Sequence, residues 1–80
     1  MNSFIEAPIV NARAVTPSDS TVLTQIPRGL WVGGAGNLAV LLQGDTVPVT
    51  FLGVSGGISL AVQKVMATNT TATGILAVYT

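Results

Sequence analysis

Few side chains in this sequence could do chemistry, and their spacing suits it poorly. There is no histidine and no cysteine. That removes the usual general base near neutral pH, the thiolate nucleophile and the two best zinc ligands. The acids Glu6, Asp19 and Asp45 stand far apart in arm or turn contexts. Lys64 with Ser59 or Ser55 could imitate a Ser–Lys pair. But Lys64 shares the alternation of Leu60 and Val62, and no third group stands ready to orient it. A solvated or interface lysine is expected. Gly34-Ala35-Gly36-Asn37-Leu38-Ala39 fits the G-x-G-x-x-A form of a dinucleotide-binding turn. That chemistry needs a following helix to face the pyrophosphate and an acid about 20 residues on. Gly44 leaves no room for the helix and Asp45 comes too early, so a hairpin turn is expected. Asn69-Thr70-Thr71 is a glycosylation sequon. Met1–Pro8 has neither a cationic nor an apolar region of a secretory signal, so the sequon reads as a polar loop. The residues thus argue against an enzyme and call for no cofactor and no metal.

What remains is contact chemistry. Trp31 and Tyr79 are the large amphipathic aromatics, and Arg28 lies close to Trp31 in sequence. Trp, Tyr and Arg carry most binding energy where proteins meet. Trp31 reads either as core filler or as an interface anchor. Arg13 and Arg28 could pair with Asp19 or Asp45 across subunits, orienting an assembly more than stabilising it. Phe4, Ile5, Ile9 and Val10 add apolar teeth to the polar N-terminal region. The interface candidates are therefore Phe4, Ile5, Ile9, Arg13, Arg28, Trp31 and Tyr79. An alternative of a different class is a small carbohydrate- or peptide-binding module that uses Trp31 and Tyr79.

The elements that must position these residues follow from composition. The chain has 80 residues, 49% of them hydrophobic and 8% charged, with three cations, three acids and no net charge. Ordinary soluble domains are about 25% charged. Three cations cannot neutralise a nucleic-acid backbone, so nucleic acid is not an expected partner. The longest charge-free run, Thr46 to Gln63, is broken by Pro48, Gly53, Gly56 and Gly57 and alternates in character, unlike a continuous apolar membrane helix. A domain this small is marginally stable by itself. Without disulfides or metal, association is the remaining way to gain stability.

Val and Thr fill 21 positions and Gly 9, a strand-and-corner composition. No sustained helical period is visible. The expectation is an all-β fold, a small sandwich or barrel of five to six short antiparallel strands with an extended N-terminal arm. The arm covers residues 1–14 and the single β-domain residues 15–80. Thr16-Pro17-Ser18-Asp19 is a turn signal. Gly29–Val32 and Leu38–Leu42 read as strands joined through the turn Gly33–Asn37. In the next strand Val47, Val49 and Phe51 share one face, and Gly53–Gly57 turns the chain. Ile58, Leu60 and Val62 face inward, and Gly74–Tyr79 is the last strand.

Four blocks carry a resemblance. They are Val15-Thr16-Pro17-Ser18-Asp19-Ser20-Thr21; Arg28 through Val40 (RGLWVGGAGNLAV); Val49-Thr50-Phe51 with the glycine turn after it; and Val65 through Ile75 (VMATNTTATGI). In this order they resemble the family of small head-spike base and capsid decoration proteins of gene transfer agents and tailed phages. The resemblance covers roughly residues 15–79, while residues 1–14 match no pattern of the family. It implies a virion structural protein on the capsid exterior, assembled in the host cytoplasm. It further implies a cement or spike-base role as a trimer or pentamer. Its partners would be its own copies, the major capsid protein and a separate spike or fibre protein. The sparse charge agrees independently: many identical copies on a symmetric shell hide apolar surface and exposed strand edges.

Overall fold

A computed structural model describes residues 8–79. The fold is all-β, as expected, with five strands and no helix among the described residues. In chain order they are β1 (Asn11–Ala14), β2 (Gly29–Leu42), β3 (Val49–Ile58), β4 (Val62–Val65) and β5 (Thr73–Tyr79). They form one antiparallel sheet in the order β1-β5-β2-β3, and β4 pairs with β2 beside β5.

The long strand β2 is the hub. Its first half pairs with β5 (Trp31 opposite Leu76, Val32 opposite Ile75). Its second half pairs with β4 (Val40 opposite Val65). β3 runs along its other side for the whole length, from Leu30 opposite Ile58 to Val40 opposite Val49. Alternation puts Leu30, Val32, Leu38 and Val40 on one face, and all four are fully or almost fully buried. Val62, Val65, Ile75 and Ala77 join them in one cluster, against which Phe51, Val54, Ile58, Leu60 and Tyr79 pack. One sheet in which β2, β3, β4 and β5 all send side chains into a single cluster must curl around it. Each such buried Val or Leu contributes about 1.5–3 kcal/mol relative to exposure.

The glycine-rich run corrects the hairpin expectation. Gly33 to Asn37 does not reverse the chain but lies inside β2. The β2–β3 register slips between Val32 and Gly36 and again between Gly36 and Leu38. The expected turn at Gly53–Gly57 lies likewise inside β3. Gly53 and Gly56 hold φ of 62° and 74°, the left-handed region where glycine carries no side-chain penalty. The two runs are facing bulges, and bulges bend a strand pair and increase its twist. They let two long strands curl where the sequence suggests four short ones. The strand expected around Ile58–Val62 is correspondingly split, with β3 ending at Ile58 and β4 starting at Val62.

β4 and β5 lie in line along the same side of β2, interrupted by residues 66–72. That loop stays attached to β2. The Met66 N–H donates to the Ala39 carbonyl at 2.8 Å, and the Thr71 and Ala72 N–H groups to the Asn37 carbonyl at 2.9 and 3.0 Å. In return the N–H groups of Asn37 and Ala39 donate to the hydroxyls of Thr71 (2.9 Å) and Thr70 (3.0 Å). The threonine oxygens replace the ladder acceptors that a continuous strand would supply.

Candidate assembly surface

The N-terminal segment positions the first part of the surface. β1 lies on β5, with Asn11 opposite Tyr79 and Ala14 opposite Leu76. The chain then crosses to β4, where the N–H groups of Ser18 and Leu23 donate to Val65 and Gln63, each at 2.8 Å. At the crossing, the Ser18 hydroxyl accepts from the N–H groups of Ser20 and Thr21 at 3.3 Å, the local turn that Thr16-Pro17-Ser18-Asp19 signals. Asp19 then reaches the 66–72 loop. Its Oδ1 accepts from the N–H groups of Ala67 and Thr68, both at 2.9 Å, and its Oδ2 from the Thr68 hydroxyl at 2.6 Å. These bonds favour the ionised carboxylate. The Thr68 hydroxyl first, then its backbone N–H, hold the Asp19 pKa below the ordinary value. Asp19 is thus engaged inside its own chain by a loop that no sequence spacing connects to it.

Two further side chains hold bends. The Gln63 amide donates to the carbonyls of Leu42 (3.0 Å), Gln43 (3.0 Å) and Asp45 (3.3 Å), closing the β2–β3 turn. The Asn37 Oδ1 accepts from the Gly53 N–H at 3.2 Å, fixing the β3 bulge. These roles are side chain to backbone across 16–21 residues, so alternation alone gives no sign of them.

The interface candidates scatter over this frame. Phe4 and Ile5 lie outside the described residues. Ile9 is exposed just before β1, and Arg13 is exposed on it. Arg28 is half-buried, and its N–H donates to the Val78 carbonyl at 2.9 Å. Trp31 is 46% exposed, so it does not fill the core. Its cross-strand partners are Leu76 on one side and Gly57 on the other, and Gly57 offers no side chain to cover the indole. Ala14, opposite Leu76, extends the same outward row. Tyr79 sits three residues beyond Leu76, on the opposite face, packs against the core and donates its hydroxyl to the Gln25 carbonyl at 3.3 Å. The two aromatics therefore do not share one platform of the kind a carbohydrate-binding module would use.

Sequence reasoning left most of the exposed aliphatics out of the interface candidates. Leu52 is 75%, Val47 68%, Val10 65%, Val22 54% and Val49 41% exposed. Val47, Val49 and Phe51 do alternate together. Only Phe51 reaches the core cluster, because β3 is the last strand of the sheet and nothing lies beyond it among the described residues. On the outward face above β3, a cleft of about 380 Å³ is lined by Ala39, Pro48, Thr50, Met66, Thr68 and Asn69, with Asp19 at its rim. Its one charged group is already held by Ala67 and Thr68, so the cleft offers chiefly apolar and hydroxyl contacts. Among the described residues no cluster of acidic side chains could hold a metal ion.

The sequence matches no family model and no curated protein. The structure is similar to a chain in the capsid of a native GTA particle computed with C5 symmetry. The two superpose with a TM-score of 0.80 and are 33% identical over 98% of this chain and 99% of that one.

Proposed function

Because this chain belongs to the family of that gene transfer agent (GTA) capsid chain, we propose that it is a homo-oligomeric decoration or spike-base protein on the capsid exterior. At the coarser level it is a virion structural protein associated with the capsid. The observation that carries the reading is the 33% identity across nearly the full length of both chains. The surface supports it. Charge is sparse, and the exposed aliphatics Val10, Val47, Val49 and Leu52 together with Trp31 would be a liability on an isolated soluble domain. A ring of three or five copies, seated on the major capsid protein, covers them. A separate spike or fibre protein completes the assembly. Residues 1–14 serve as an edge arm, of which β1 is the paired part, and residues 15–80 as the body.

Light scattering on the purified full chain tests the self-association. The expected result is a single oligomer of three or five copies at micromolar concentration. A well-folded monomer over the same range overturns it.

A further inference from the structure

We infer that the N-terminal edge strand of one copy pairs with the open edge of β3 in the next copy, continuing the sheet from chain to chain. This rests on the self-association proposed above and names its interface. β1 and β3 are the two terminal strands of the same sheet. Each has one ladder edge that no described residue occupies, and an exposed edge is a template for another strand.

The two edges match in chemistry. The β3 edge carries Val49 and Leu52, with Val47 just before it, and no charge stands between Asp45 and Lys64. The N-terminal edge carries Ile9 and Val10, with Arg13 as the one charge from Pro8 to Ser18. Neither edge carries a lysine, one of the usual protections of an edge. Pro48 stands just before β3 rather than within it. Among the described residues the two edges of one copy do not pair with each other. β1 lies level with the Gly29 end of β2, and Val49 lies at the Val40 end.

Pairing two different edges is a head-to-tail contact. Repeated by a rotation that closes, it makes a ring and leaves no open edge. Val49, which shares the face of Phe51 on β3 yet remains exposed, then gains a cover from the neighbour's Ile9 and Val10.

The test uses the absence of native cysteine. Val10→Cys, Leu52→Cys and the double variant are made in the full chain, with Ile9→Cys and Val49→Cys as a second pair for the alternative register. Each is oxidised and run without reductant, and its oligomeric state is measured in parallel. The expected result is a covalent ladder from at least one double variant, ending at the ring size, while each single variant stops at a dimer. An oligomer without a ladder in both pairs overturns the edge pairing and leaves self-association standing. A monomer throughout overturns both.

Discussion

Gly36 to Ala is the sharpest test of the bent central strand. A turn between two strands tolerates a small side chain at an open corner, whereas a crossing of strands does not. At Gly36 a Cβ would stand 2.7 Å from the Ala72 nitrogen and 2.9 Å from both the Ala72 Cα and the Thr71 carbonyl carbon. All three are backbone atoms, so no rotamer change relieves the contact. The 71–72 segment must move away, and it is held to Asn37 by three hydrogen bonds. Overpacking of this kind costs about 1–3 kcal/mol, and each weakened bond adds about 1 kcal/mol. A loss of about 2–4 kcal/mol is expected. In a domain of this size that lowers the melting temperature by on the order of 10–25 °C. Gly44 to Ala is the control. It has open space around it, no positive φ, and an expected gain of up to about 1 kcal/mol. Thermal unfolding by circular dichroism at one fixed protein concentration separates the two, since association itself shifts the midpoint. If Gly36 to Ala melts within about 2 °C of the parent, the crossing of the 66–72 loop over β2 is wrong.

Three further outcomes are expected. Asp19 has a depressed pKa in the folded chain, so its stabilising effect is complete above the unfolded value of 3.8 and is lost as pH falls through the folded one; melting curves against pH should show an acid limb below about pH 4 that shrinks in Asp19→Asn, and an unchanged limb in that variant refutes the clamp. Trp31 should be open to acrylamide quenching in dilute monomer and shielded in the oligomer if it anchors an interface; equal quenching in both removes it from the contact. Deleting residues 1–14 should leave a folded β-domain by circular dichroism that no longer attaches to capsids; a truncated chain that fails to fold makes β1 part of the body.

Fold class was legible because composition and alternation act locally. Valine and threonine at alternate positions select strands, and the buried Leu30, Val32, Leu38 and Val40 share one parity along β2. The glycine runs were not legible. Gly33–Gly36 and Gly53–Gly57 permit a reversal or a bulge equally well, and only the partner strand decides which. Here each run faces the other across the β2–β3 pair, a fact of register. The exposure of Val47 and Val49 was hidden for a related reason: alternation assigns a face, but strand order decides whether that face is covered. Trp31 was ambiguous in sequence because its exposure depends on Gly57 beside it. The Asp19 clamp on Ala67 and Thr68 spans 48–49 residues, beyond any local motif, although the same stretch contributed two of the blocks that resemble capsid decoration proteins.

The account stands or falls on where the protein sits in a particle. Reconstruction of purified particles by electron microscopy, without symmetry imposed beyond that of the capsid, tests this directly. The account predicts density for a ring of this chain on the outer surface of the shell, with the first fourteen residues of each copy against a neighbour or the shell. Particles whose outer surface carries no such density, while mass spectrometry finds the chain elsewhere in the lysate, contradict it.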